Sequence, residues 1–159
     1  MMKIIYTPFC LVLLAVVLAL VSCDPMSSVE YKIYNMSTDT VAVSFYREVM
    51  SSSYQGYEIT DLNDSVVSFL HAADSATVAL VGPNRCLKAH YEWGGLYREE
   101  LIVPLWKYII SVTMGGAELA PESWNNASSW KVKTQGGGFG EGESRYYELW
   151  LRGKQTSSN

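Results

Sequence analysis

The chain has 159 residues, 12 Lys and Arg against 16 Asp and Glu, and a formal net charge of −4. No cluster of basic residues interrupts this mild acidity, so a nucleic-acid partner, which needs cations for its phosphates, is not expected. The length suits one domain with its own hydrophobic core, and three cysteines are too few for a disulfide-stapled scaffold.

The first 23 residues read MMKIIYTPFCLVLLAVVLALVSC. Lys3 is their only charge, residues 9–21 form an unbroken apolar run, and the small Ser22 and Cys23 close it, which are the three parts of an export signal. A helix over that run reaches about 20 Å, short of a hydrocarbon core of about 30 Å. Counted from Ile4 the run is longer, and a single transmembrane anchor is the alternative. Leu20-Val21-Ser22-Cys23 resembles the lipobox of bacterial lipoproteins. The resemblance implies a signal peptide over residues 1–22, cleavage before Cys23 and acylation of that cysteine into membrane lipid. Several acyl chains, at about 0.8 kcal/mol per buried methylene, make a durable anchor. Residues 23–28 would then be a lipidated tether, 29–153 the folded domain and 154–159 a disordered tail. Cys10 leaves with the signal, so Cys86 remains as the lone thiol, expected to be buried and inert. Asp24 directly after the cysteine resembles the inner-membrane retention signal of enterobacterial lipoproteins, a rule that need not hold in Bacteroides-type cells. There surface export goes with an acidic run, and DPMSSVE has only scattered acids. The expectation is therefore the cell envelope, at the outer membrane, with the periplasmic face favoured over the cell surface.

Beyond the tether the hydrophobic period is mostly two. In VEYKIYN, Val29, Tyr31 and Ile33 share a face; in DTVAVSFYR, Val41, Val43 and Phe45 do; the turn-rich NMSTDT between them predicts a hairpin or an inter-sheet connection. Residues 48–64 lose the pattern and predict a surface excursion carrying Tyr54 and Tyr57. Two short apolar runs follow, over 66–70 and 77–81, closed by Gly82-Pro83-Asn84. Residues 99–104 suggest a strand bent or edged by Pro104. The clearest alternation is WKYIISVT, with Trp106, Tyr108, Ile110 and Val112 inward. Residues 118–128 predict turns or one short helical turn. WKVKT then places Trp130, Val132 and Thr134 on one face, and SRYYELWLR places Tyr147, Leu149 and Leu151 inward with Tyr146, Glu148 and Trp150 opposite. The expected fold is all-β: a single immunoglobulin-like β-sandwich of about seven or eight strands, with a small open β-barrel as the alternative.

Motifs for specific chemistry are sparse. GGGFGEG lacks the lysine and hydroxyl that a phosphate loop requires and carries Glu141 and Glu143 instead, so a glycine hairpin is expected. Asp61-Leu62-Asn63-Asp64-Ser65 lacks the central glycine and closing glutamate of a calcium loop and predicts an Asx turn. Cys86, His90 and His71 supply no second close pair for zinc. Neither a metal nor any cofactor is therefore expected. A small hydrolase built on paired carboxylates, such as Glu99 with Asp61 or Glu141, stays open because such pairs need only spatial closeness.

The aromatic residues carry the remaining expectation. Tyr91, Trp93 and Tyr97 surround two glycines, and Trp124 is flanked by Ser123 and Asn125. Rings beside polar partners suit a carbohydrate or peptide platform, while a chain without a disulfide favours the reading in which Trp93, Trp124 and Trp130 plug the ends and core of the sandwich. Asp39-Thr40-Val41, Asp64-Ser65-Val66 and Asp74-Ser75-Ala76 resemble the O-glycosylation sites of exported Bacteroides-group proteins, with Thr40, Ser65 and Ser75 as acceptors; Asn35, Asn63 and Asn126 lie in N-glycosylation sequons. YKIYNMSTDTVAVSFY after the lipobox and the closing YYELWLR resemble small Bacteroides-type envelope lipoproteins with an immunoglobulin-like domain. Together these imply a non-enzymatic, lipid-anchored envelope protein presenting a binding or assembly surface to a glycan or protein. A carbohydrate-binding or adhesion module is the nearest alternative.

Overall fold

The computed structural model describes residues 26–46, 56–70, 78–95, 103–137 and 142–153. Among these residues ten strands run in chain order: β1 (Met26–Asn35), β2 (Val41–Phe45), β3 (Gly56–Asp61), β4 (Val66–Leu70), β5 (Val78–Val81), β6 (Arg85–Gly94), β7 (Ile109–Met114), β8 (Ala117–Glu118), β9 (Lys131–Gly136) and β10 (Glu143–Leu151). They form two sheets, ordered β4-β3-β6-β1-β10-β9 and β5-β2-β7-β8. The described strands thus build a sandwich-like, all-β arrangement of six strands over four, and no closed barrel.

Alternation along β1 sets the layers. Val29, Tyr31 and Ile33 point inward and are buried, while Glu30, Lys32 and Tyr34 face out. β1 pairs antiparallel with β6 and parallel with β10, so the first and last strands are neighbours at the centre of the large sheet. Leu87 and Ala89 of β6 and Tyr147, Leu149 and Leu151 of β10 extend the inner face on either side. From the small sheet, Val41, Val43 and Phe45 of β2, Ala79 and Val81 of β5, and Val112 of β7 close over it.

Strand β1 opens at Met26, inside the segment expected as a tether. Ser27 explains the early start. Its hydroxyl donates to the Gly95 carbonyl at 2.8 Å and accepts the Glu143 N–H at 3.2 Å, tying three strands at that end.

Rings fill the part of the core beyond the small sheet. Tyr31 stacks on Tyr147 at 4.8 Å and meets Trp106 and Trp130 edge-on at 5.8 and 5.7 Å. Such ring pairs contribute about 0.5–1.5 kcal/mol each beyond area burial. The chain between β7 and β9 supplies much of this cover through two 3-10 turns, Pro121–Ser123 and Ala127–Ser129, as the turn-rich sequence predicts.

Four expectations fail here. Residues 56–61, expected within a surface excursion, are the interior strand β3, with Tyr57 buried against Phe45. The outward Glu58 sits opposite Lys88, and such pairing lets a charged strand lie within a sheet. Residues 90–94, read only as part of a cluster of rings around two glycines, are the end of the alternating strand β6. Leu87, Ala89, Tyr91 and Trp93 lie on one face, and Cys86, Lys88, His90 and Glu92 lie on the other. WKYIISVT is not one strand. Leu105–Lys107 is a 3-10 turn, and a bulge pairs Ser44 with Ser111 but Phe45 with Ile109. Ile110 is the extra residue, 48% exposed, and Ile109 takes its inward place. Val103 and Pro104 are not in a strand, because Pro104 caps that 3-10 turn; residues 96–102 lie outside the described set.

Asn35 joins the layers. Its side-chain amide donates to the carbonyls of Asp39 at 2.7 Å and Val81 at 2.8 Å, while its oxygen accepts from the Ser37 N–H and hydroxyl. Every lone pair and proton is used in a buried site, which leaves no room for a glycan on that sequon. Asn35→Ala should cost about 2–4 kcal/mol, since it strands the Val81 carbonyl and the Ser37 donors. Urea unfolding monitored by fluorescence would measure this, and a loss below about 1 kcal/mol would refute the role.

Candidate functional site

Of the sequence-derived candidates, Tyr91, Trp93, Trp124, Thr40 and Ser65 are among the described residues. Tyr91 and Trp93 do meet, as stacked rings 5.4 Å apart and 26° from parallel. They lie on the inner face of β6 opposite Val29 and Ser27, half-buried, with Trp93 packed against the core. Trp124, a candidate for an exposed ring, is 2% exposed, and its carbonyl accepts the Trp130 indole N–H at 2.9 Å. Core closure, the reading favoured for these rings, describes Trp124 and Trp130. Tyr97 lies outside the described residues, as do Cys23, His71, Ser75, Glu99 and Glu141. Thr40 and Ser65 are exposed at the approaches to β2 and β4.

The loop expectations resolve locally. Asp61 Oδ1 accepts the N–H groups of Asn63 at 2.8 Å and Ser65 at 2.9 Å, an Asx turn that spends this oxygen on backbone. On the glycine hairpin, a Cβ at Gly142 would lie 1.6 Å from the Met26 carbonyl oxygen. Gly136 has φ +81° and faces the Gly142 carbonyl. These glycines serve a close approach of β1 to the β9–β10 connection, not an anion. Among the described residues no three His, Cys, Asp or Glu side chains are grouped to hold a metal. Four residues of strand separate Cys86 from His90 by about 13 Å, too far for one ion.

A second aromatic pair lies on the outer face of the large sheet. Tyr34 of β1 stacks on Trp150 of β10, with ring centroids 4.2 Å apart and planes 19° from parallel. Trp150 is 42% exposed. The parallel register places the two opposite each other, and the same row continues through Cys86 on β6 to Thr60 on β3, both fully buried. The result is a strip of aromatic, aromatic, thiol and threonine across four strands.

The neighbouring row is ionic. Glu148, Lys32, Lys88 and Glu58 stand side by side on β10, β1, β6 and β3. Lys32 reaches Glu30 at 3.1 Å and Asp64 at 3.5 Å; Lys88 reaches Asp64 at 3.6 Å and Glu30 at 3.9 Å. Asp64, with φ 62° in the β3–β4 turn, bends back over this face to bridge both lysines. Glu148 pairs with Lys133 and lies 3.4 Å from the Trp150 indole nitrogen. Burial pushes the Cys86 thiol up to about 12 and the Tyr34 phenol up to about 12. A buried, protonated thiol is a poor nucleophile. Burial lowers Lys32, but the hydrogen bond and charge of Glu30 outweigh it and hold the ammonium above its ordinary value.

Tyr34 and Trp150 were not singled out by the sequence. Their outward orientation is legible from alternation, whereas their stacking depends on the first and last strands pairing in parallel, which no local pattern encodes.

Comparison with family models found no match, and neither curated protein sequences nor solved structures gave one.

Two outcomes follow from this geometry. Gly142→Ala should destabilise the fold markedly, because the clash is with backbone, and thermal unfolding should show a clear fall in Tm. Alkaline stability should also fall. Cys86 and Tyr34 ordinarily titrate at 9.0 and 10.0, so between about pH 9 and 12 the folded state holds protons that the unfolded chain has lost. Stability should be flat to about pH 9 and decline above it. The raised Lys32 acts in the same direction. Denaturation midpoints across pH 7–12 would show this, and Tyr34→Phe should make the decline shallower.

Proposed function

We propose that this is a lipid-anchored envelope protein whose immunoglobulin-like sandwich presents a binding surface on the outer face of its six-stranded sheet. The supporting observation is the direction of β1. Its first residue, Met26, follows Cys23 by three residues, a reach of about 10 Å. Tyr34 lies eight residues further along, about 25 Å from Met26, where it stacks on the exposed Trp150. An anchor at Cys23 holds the Met26 end near lipid and turns the Tyr34–Trp150 end away from it. The stacked Tyr91–Trp93 pair falls on the anchor side, beside Ser27. Rigid rings with paired charges beside them suit recognition of a glycan or an envelope protein.

The immunoglobulin-like likeness is supported by two sheets facing each other across one core. The outer membrane, with the domain on its periplasmic side, belongs to the same proposal.

Proteinase treatment of intact and lysed cells, with a C-terminally tagged chain, tests location and anchoring together. The wild-type chain should fractionate with membranes and resist digestion until lysis, and Cys23→Ala should become soluble. Digestion in intact cells would move the domain to the cell surface. Membrane retention of Cys23→Ala would overturn lipid anchoring.

A further inference from the structure

We infer that the Tyr34–Trp150 strip is a binding site for a neutral pyranose chain, an inference that rests on the outer face being the presented surface. Three features of the strip lead to this ligand class.

The first is the flat apolar area. Trp150 is 42% exposed, and its contact with Tyr34 at 4.2 Å and 19° keeps the two rings nearly parallel. Its neighbours in the next row are charged, yet their side chains are far more covered, at 13% for Lys32, 17% for Lys88 and 8% for Glu148. The indole is therefore the exposed apolar group beside a row of covered charges. A pyranose presents a flat face of C–H groups that packs on such a ring, with its hydroxyls at the rim.

The second is charge. Lys32 and Lys88 are both held by Glu30 and Asp64, and Glu148 is held by Lys133. An ionic ligand would have to break these pairs, whereas sugar hydroxyls can bond to carboxylate and ammonium groups that remain paired. Glu148, largely covered and held by Lys133, braces the edge of the indole, 3.4 Å from its nitrogen, and the exposed ammonium of Lys133 is the side of that pair open to a hydroxyl. Arg152, exposed two residues beyond Trp150, is the group an acidic sugar would seek.

The third is rigidity. Tyr34 and Trp150 sit on adjacent central strands in continuous register, so little side-chain freedom is lost on binding.

Calorimetric titration of the full-length acylated protein in detergent tests the inference, with cellohexaose, maltohexaose and hexagalacturonate as probes. At least one neutral hexaose should bind with a Kd of about 10–1000 µM. Trp150→Ala should weaken it about tenfold or more, and Trp150→Phe, with a smaller face, should fall between. Should Trp150→Ala fail to fold, Trp150→Thr serves, since threonine suits a strand. Binding retained in Cys23→Ala separates this inference from the anchor, so either can fail alone. No binding of either neutral probe, or binding untouched at Trp150, would overturn it. So would tighter binding of hexagalacturonate that is lost in Arg152→Ala. If Trp150→Ala instead turned a dimer into a monomer, the strip would be a contact between copies and the inference would fall.

Discussion

A buried asparagine at the end of the first strand is the constraint on which the rest of the arrangement depends. Asn35 closes β1, and its amide reaches the Val81 carbonyl at the end of β5, in the other sheet. Its own carbonyl accepts the Asn84 N–H just before β6, and the Met36 N–H continues the parallel ladder onto Leu151. One residue thus fixes where the chain leaves the large sheet, where it returns, and how the two sheets meet. In apolar surroundings such a group is tolerable only when fully bonded, so the site favours one geometry over near alternatives. Ser37 completes it by serving the Asn35 oxygen and the Asp39 backbone together.

With the sheets joined at that end, the other end needs a different solution. The strands of the small sheet are short, four to six residues for β2, β5 and β7 against ten for β1 and β6. Apolar area left uncovered on the long sheet must be shielded by something else. Trp106, Trp124 and Trp130 supply that shield from connecting chain, around Tyr31 and Tyr147. Large rings do this well from irregular segments because each covers much area with few rotatable bonds. The Trp130 indole bonded to the Trp124 carbonyl holds the two 3-10 turns in place, a local tie in a domain with no disulfide among its described residues.

This division explains what alternation could reveal. Val29, Tyr31 and Ile33, Val41, Val43 and Phe45, and Tyr147, Leu149 and Leu151 were legible because each sits in a regular strand with one buried face. β3 was hidden because Glu58 breaks an apolar reading, and its charge is matched only by Lys88 on a strand far along the chain. Ile110 misled because a bulge shifts the phase by one residue, and bulges leave no signature in composition. Trp124 was ambiguous because a ring in a turn can face either way until the shape of the core is known. The Tyr34–Trp150 pair needed the parallel register of β1 and β10, a contact between residues 116 positions apart.

The outer face adds a physical point about how an exposed sheet stays specific. Largely covered ion pairs such as Lys32 with Glu30 add little net stability, because desolvation offsets much of their attraction. Their effect is on geometry. Asp64 is drawn back from its turn to both lysines; within the strip Cys86 and Thr60 are buried, and the aromatic end is its open part. Glu148, fixed by Lys133, stands at the edge of the indole ring. A face of unpaired charges would be hydrated and mobile, and one of bare rings would aggregate. Pairing the charges beside two stacked rings leaves one small apolar area, held rigid by its polar border.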